Sequence, residues 1–224
     1  PEWDGAVWIG DIDLEQDLPE FLALDDSDGY RRARLLIRRG LDPLGFVELD
    51  VVDGAVAAHD VRRAAMSLAQ VPMPDALPDP DGTLPPITVV ICTRDRVEHL
   101  KGALASVSAL DYPDFEVVVV DNASPTDATQ QYVRGLGDPR VRVVSEPTAG
   151  LSRARNTGLR AARHDIVAFT DDDVAVDARW LRSIARGFGR ADGVTCVSGI
   201  VPSGEIRTQA QAYFDRRVGW ASSV

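Results

Sequence analysis

Short, continuous runs of β-branched and other apolar residues recur through the second half of the chain, separated by longer amphipathic stretches. Ile87-Thr88-Val89-Val90-Ile91-Cys92, Phe115-Glu116-Val117-Val118-Val119-Val120, Val141-Arg142-Val143-Val144 and Ile166-Val167-Ala168-Phe169 have the length and composition of strands buried on both faces. Residues 97–110, 127–136 and 151–162, which lie between them, have helical spacing. Alternation of this kind predicts right-handed βαβ units and an α/β fold, a mostly parallel sheet with helices on both faces.

The first third follows a different pattern. Residues 1–30 are rich in Asp and Glu and contain no Lys or Arg, an acidic and partly apolar lead-in. Arg34-Leu35-Leu36-Ile37-Arg38, the turn candidate Arg39-Gly40-Leu41-Asp42-Pro43 and the alternating Phe46-Val47-Glu48-Leu49-Asp50-Val51 read as a hairpin. Residues 60–69 have helical spacing and strong helix formers. Pro72, Pro74, Pro78, Pro80, Pro85 and Pro86, interleaved with Asp and Gly, then leave little capacity for helix or sheet. The expected organisation is a small α+β module over 1–71, a linker over 72–86 and a sheet domain over 87–224.

Ligands in open parallel sheets bind beyond the carboxyl ends of the strands. At those ends stand Thr93-Arg94-Asp95-Arg96, Asp121-Asn122 and Asp171-Asp172-Asp173, so polar groups from separate parts of the chain converge on one edge. Successive side chains of an extended segment alternate sides, which turns Asp171 and Asp173 the same way and allows them to share one divalent cation. Hard carboxylate oxygens suit Mg²⁺ or Mn²⁺, which keep open positions for phosphate oxygens. The alternative is a solvated acidic loop, or Asp capping the helix that begins near Asp177. A glycine-rich dinucleotide fingerprint is absent after the first strand, and no G-x-x-x-x-G-K-[ST] phosphate loop occurs, so handling of phosphate through a metal is the reading left.

Composition narrows the partners. A formal net charge of −11 argues against nucleic acid as the main partner. Cys92 and Cys196 lack ligand spacing and stand in apolar surroundings, as reduced core residues of a cytoplasmic protein would. No apolar run approaches the ~20 residues needed to span a bilayer, and no signal pattern opens the chain. The chain begins at Pro1 without an initiator Met and stops at Ala221-Ser222-Ser223-Val224 without a clear terminal element. A fragment of a longer protein, truncated on the C-terminal side, is therefore expected, with any contact to the inner face of a membrane made by regions outside it.

Four segments together resemble a known family. Residues 87–96, Val119-Val120-Asp121-Asn122-Ala123-Ser124, Gly150-Leu151-Ser152-Arg153-Ala154-Arg155-Asn156-Thr157-Gly158 and Phe169-Thr170-Asp171-Asp172-Asp173 are similar, in order and spacing, to family 2 glycosyltransferases of the GT-A fold. The resemblance covers about 87–200. It implies a nucleotide-sugar donor, a divalent cation bound at a D-x-D motif, and inverting transfer to an acceptor hydroxyl on a saccharide, a lipid-linked or a small-molecule acceptor. By the same resemblance Thr93, Arg94, Asp121 and Asn122 cradle base and ribose, Asp171 and Asp172 bind the donor, Asp173 is the metal ligand proper with Asp171 beside it, and Arg155 and Asn156 open a donor-side helix. Many relatives carry an aromatic at the position of Arg94 and a second Asp at that of Asn122, which leaves the base open.

The chemistry follows from the reaction itself. Displacing a nucleoside diphosphate from an anomeric carbon builds negative charge on the leaving oxygen, which a cation held by Asp173 stabilises as a Lewis acid. The acceptor hydroxyl needs a general base. The family's base lies downstream, and Asp192, Glu205 and Asp215 are not assigned to it, so binding without useful turnover is expected of these residues alone. His99 and His164 lack metal-ligand spacing and read as structural. A nucleotide-binding or assembly module without turnover is the second reading; a nucleotidyltransferase is disfavoured by the missing glycine-rich loop.

Overall fold

A computed structural model of the chain describes residue 1 and residues 3–68 and 84–218. They fall into two compact units, one containing the described residues up to 68 together with 198–218, the other containing 84–197. The proline-rich stretch expected to link two domains lies, up to residue 83, outside the described residues.

The first unit contains β1 (Val7–Asp13), β2 (Phe21–Ala23), β3 (Arg32–Arg39), β4 (Asp42–Asp50), β5 (Ala55–Ala57) and α1 (Ala58–Leu68). The expected hairpin is the antiparallel pair β3–β4. Along β3 the small and aliphatic residues Ala33, Leu35 and Ile37 alternate inward, where they meet Ile12, Val47, Val56 and, from α1, Val61 and Ala65. Full burial of each large aliphatic side chain is worth ~1.5–3 kcal/mol. The acidic lead-in holds a strand that its charge concealed, since β1 pairs parallel with β3. Arg38 lies between Asp11 (2.6 Å) and Asp13 (3.1 Å), which makes an acidic strand tolerable there. Asp13 also accepts the N–H groups of Gly40 and Glu15. Burial would raise its carboxyl, but those two N–H donors and Arg38 hold it below the usual carboxylate value.

The second unit is built on β6 (Ile87–Thr93), β7 (Phe115–Asn122), β8 (Val141–Glu146) and β9 (Ile166–Asp171), with helices α2 (Val97–Ser108), α3 (Ala128–Gly135), α4 (Leu151–Ala161) and α5 (Trp180–Phe188). All neighbouring strands run parallel, in the order β8-β7-β6-β9. Val89, Ile91, Val117 and Val119 pack on one face against Leu100, Leu104, Val107, Val133 and Leu181. Val90, Val118 and Val120 face the other way, against Ala154 of α4. The expected α/β sheet with helices on both faces is thus present. Gly158 permits the close approach of α4, because a Cβ there would lie 2.4 Å from Cγ1 of Val90.

The amino end of this sheet is tied by a buried carboxylate. Glu116 accepts from Thr88 Oγ1 (3.0 Å), Arg142 Nε (3.1 Å) and the backbone N–H of Arg163 (2.8 Å). Arg142 also donates to the carbonyl of Ala161, the last residue of α4. Burial pushes the Glu116 carboxyl up, yet Arg142, the Arg163 N–H and Thr88 together hold it below the usual value.

After residue 197 the chain returns to the first unit. Val7 N–H donates to the Ile206 carbonyl (2.9 Å), and α6 (Gln209–Val218) places Ala212 in a cluster with Val7 and Ile206. Asp215 accepts from Arg34 (2.8 Å) and Ser203 (2.8 Å). The last segment thus packs on β1 and β3, whose residues Val7 and Arg34 supply its apolar and charged partners. Tyr213 and Phe214 are exposed, and Trp220 lies outside the described residues. Cys196, read as a core residue, is exposed, while Cys92 is half-buried and both are free thiols. No helix among the described residues is long and apolar enough to cross a membrane.

Candidate functional site

Strands β6 and β9 are neighbours in space but not in sequence, which makes their carboxyl ends the topological switch point of the sheet. Thr93, the last residue of β6, donates its hydroxyl to Asp172 at 2.6 Å across that point. Asp172 is buried, whereas Asp171 and Asp173 on either side of it are exposed. Arg96, from the turn after β6, spans two of these carboxylates, at 2.9 Å from Asp172 Oδ1 and 2.9 Å from Asp173 Oδ2. The hydrogen bond to Asp173 does most to hold the Arg96 guanidinium above its ordinary value; partial burial opposes it, and the charges of Asp172, Asp173 and Asp171 add to it. Arg155 on α4 reaches Asp171 at 3.3 Å. The half-buried Cys92 thiol is pushed up to about 11 by burial, with Arg155 opposing and Asp171 and Asp172 reinforcing the shift, so it stays protonated and is no nucleophile at neutral pH.

At the end of β7, Asp121 and Asn122 are both buried but differently engaged. Asn122 donates to the carbonyls of Glu146 (3.2 Å) and Thr148 (2.8 Å) and accepts the N–H of Gly150 (2.9 Å). It staples the loop that starts α4, where Gly150 holds φ +143°, a conformation open to glycine. Asp121 Oδ2 accepts from Gln130 of α3 at 3.2 Å. Its Oδ1 is buried and has no hydrogen-bond partner among the described residues. A buried acceptor left unmade costs ~1–3 kcal/mol, so this oxygen awaits a donor. Two non-glycine residues beside these groups, Asp95 (φ +54°) and Ala123 (φ +50°), adopt the left-handed conformation, and Ser124 Oγ accepts the Asp95 N–H at 3.0 Å. Backbone strain of this kind concentrates where a ligand site is shaped.

Thr93, Arg96, Asp172 and Asp173 therefore form one network, Arg155 pairs separately with Asp171, and Asp121 and Asn122 stand at the end of the adjacent strand. Arg94 and Asn156 are exposed, and their side chains make no hydrogen bond or ion pair among the described residues. Two members of the site had no role assigned from sequence, Arg96 and Gln130. The position of Arg96 three residues after Thr93 was the available signal, but only the tertiary pairing of β6 with β9 brings it to the acidic triplet. His164 sits 3.3 Å from Thr88 at the amino end of the sheet, away from the site, and His99 is exposed. Among the later carboxylates Glu205 accepts from Gln211, Asp215 is taken by Arg34 and Ser203, and Asp192 is exposed.

No group of three or more His, Cys, Asp or Glu among the described residues is placed to hold a metal by itself. A cation of the Mg²⁺ or Mn²⁺ type is commonly held by one or two carboxylates with phosphate oxygens and waters completing its shell. The exposed carboxylates of Asp171 and Asp173 are a donor set of that chemistry, whereas Asp172 is committed to Thr93 and Arg96.

The model of glycosyl transferase family 2 matches residues 88–221. Glycosyltransferase AglE of Haloferax volcanii is 31% identical over 122 residues, which cover 52% of this chain and 37% of that protein. Succinoglycan biosynthesis protein ExoO of Rhizobium meliloti is 36% identical over 110 residues, 49% of this chain and 30% of that one. Among solved structures, the mannosyltransferase PcManGT from Pyrobaculum calidifontis, in complex with GDP-Man and Mn²⁺, is 32% identical over 57% of this chain and 39% of its own, with a TM-score of 0.46. The aligned parts thus span about a third of the length of these relatives.

Proposed function

The chain belongs to glycosyl transferase family 2, and from that premise we propose that the strand-end cluster of its parallel sheet holds the nucleoside diphosphate of a nucleotide-sugar donor, whose sugar passes with inversion to an acceptor hydroxyl. The observation that carries this reading is the buried, unpartnered Oδ1 of Asp121 at the carboxyl edge of β7, a ready acceptor for a hydroxyl or N–H of a nucleoside. Thr93 and Arg96 hold Asp172 in place, and the exposed Arg94 closes over the base by its guanidinium plane. Asn122 acts through the loop 146–150 and not by direct contact. Asp173, with Asp171, takes the cation, and Arg155 stands close enough to Asp171 to meet a diphosphate oxygen when that pair opens. A bound Mg²⁺ or Mn²⁺ supplies Lewis-acid stabilisation of the departing diphosphate. Asn156 is kept as a donor-side candidate at the exposed start of α4.

The acceptor's base is not assigned. Asp215 is spent on Arg34 and Ser203, and Glu205 on Gln211, which favours as a second reading a nucleotide-binding module that turns over only with residues from elsewhere. We also keep the division into an N-terminal module and a sheet domain as part of the proposal. Titration calorimetry with UDP, GDP, CDP and ADP, with and without Mn²⁺, tests the donor site. At least one should bind, more tightly with the metal. A folded chain indifferent to all four removes the proposal.

A further inference from the structure

The first unit carries a cleft of about 500 Å³, lined by Trp8, Asp26, Asp28, Tyr30, Glu205 and Arg207 among others. That volume falls within the ~300–1,000 Å³ usual for small-molecule sites. Four of those six residues precede residue 88, where the family match begins, so the cleft is no part of the donor site described above.

Its lining has a particular chemistry. Trp8 and Tyr30 are both half-buried, and Trp8 packs in part against the core of the first unit. Trp8 is held still: its Nε1 donates to the Asp25 carbonyl at 2.9 Å, and its ring lies over Gly10, where a Cβ would fall 2.3 Å from Cζ3. The loop bearing the carboxylates is also fixed. The buried Ser27 donates to the Gly54 carbonyl, the N–H of Tyr30 donates to the Ser27 carbonyl at 3.0 Å, and positive φ at Asp26 and Gly29 turns the chain between them. Yet the carboxylates of Asp26 and Asp28 and the hydroxyl of Tyr30 have no partner among the described residues. The fixed Trp8 and the half-buried Tyr30 thus line the cleft beside unused acceptors, with the Tyr30 hydroxyl as a donor.

We propose that this cleft binds a neutral saccharide. The aromatic rings offer flat apolar surface to the C–H face of a sugar, and the carboxylates accept its hydroxyl hydrogens. Asp26, Asp28 and Glu205 outnumber the Pro1 amine and the Arg207 guanidinium, which itself faces Glu205 at 3.9 Å, and so disfavour a nucleotide or an acidic sugar. A purely cationic ligand would use the acceptors and leave the Tyr30 hydroxyl idle, whereas vicinal hydroxyls both donate and accept. That the saccharide is the acceptor or its product rests on the transferase reading; that the cleft binds a sugar does not.

Calorimetry with the full chain tests it, using neutral tetrasaccharides of glucose, mannose, galactose and N-acetylglucosamine, with oligolysine as the cationic competitor. UDP and GDP titrated in parallel report the donor site and the fold. At least one tetrasaccharide should bind, Asp28→Asn and Tyr30→Ala should each weaken it by about tenfold, and nucleotide binding should not move. Both are exposed or half-exposed positions, so they keep the test usable if Trp8→Ala, which also removes core packing, fails to fold. Sugar binding without nucleotide binding leaves the cleft standing and sinks the donor reading. The proposal is overturned if the folded chain binds none of the four sugars, binds them equally in both variants, or yields to oligolysine instead.

Discussion

Thr93→Val replaces a hydroxyl by a methyl of nearly the same size at the switch point of the sheet, and removes one donor from a buried carboxylate. In the wild type Asp172 Oδ2 has Thr93 at 2.6 Å and Oδ1 has Arg96 at 2.9 Å. A hydrogen bond to a charged group is worth ~1.5–3 kcal/mol, and a carboxylate that is almost wholly buried cannot recover it from water. The variant should therefore lose ~1.5–3 kcal/mol in unfolding free energy, a fall of roughly 1 M in urea midpoint for a slope of ~1–3 kcal/mol per molar. Thr93→Ser should stay close to wild type, since the donor is kept. Combined with Asp172→Asn, the two losses should fall short of additivity by ~0.5–3 kcal/mol, the signature of direct contact. Fluorescence-monitored urea unfolding of the wild type, the three single variants and the double variant reads both quantities. A loss below ~0.5 kcal/mol, or full additivity, would refute the view that Thr93 holds the acidic triplet.

Three further outcomes follow from the same geometry. Gly158→Ala should lower the melting temperature in calorimetry, because a Cβ 2.4 Å from the fully buried Val90 forces overpacking of ~1–3 kcal/mol that outweighs the gain of up to ~1 kcal/mol in helix propensity; a rise would contradict the packing of α4. Glu116→Gln should be less stable than wild type at neutral pH. The folded carboxyl is held below its ordinary value, so its contribution is full above ~4.3 and drains away as pH falls through the lower folded value; the gap between the two proteins should be constant from pH 7 to about 5 and close at more acid pH, and a gap that widens there has the wrong sign. Asp173→Asn should abolish Mn²⁺-dependent strengthening of nucleoside diphosphate binding while moving stability by no more than ~1 kcal/mol, as its pair with Arg96 is exposed; unchanged metal dependence in calorimetry would remove Asp173 as ligand.

The parallel sheet was legible because its strands are buried on both faces and so read as unbroken runs such as Val117-Val118-Val119-Val120. The strand-end clusters were legible because apolar runs stop at Thr93, Asp121 and Asp171. What sequence could not supply was long-range pairing. β1 reads as acidic lead-in because Asp11 and Asp13 find their counter-charge in Arg38, a strand away. The return of 198–218 to the first unit depends on Val7 and Arg34, far upstream in the chain. The resemblance put Asn122 in the cradle of base and ribose; that its amide donates to the carbonyls of Glu146 and Thr148 was not legible, because only the pairing of β7 with β8 brings these acceptors into reach.

The most direct test of the donor site compares wild type, Asp121→Asn and Asp121→Ala by calorimetric titration with whichever nucleoside diphosphate binds, and with inorganic diphosphate alone, all in the presence of Mn²⁺. If the buried Oδ1 accepts a nucleoside donor, both variants should bind the nucleotide at least about tenfold more weakly, and diphosphate should bind all three proteins alike. Equal nucleotide affinity in the three folded proteins would show that the unpartnered oxygen is not where the nucleoside sits, and the placement of the donor would fall with it.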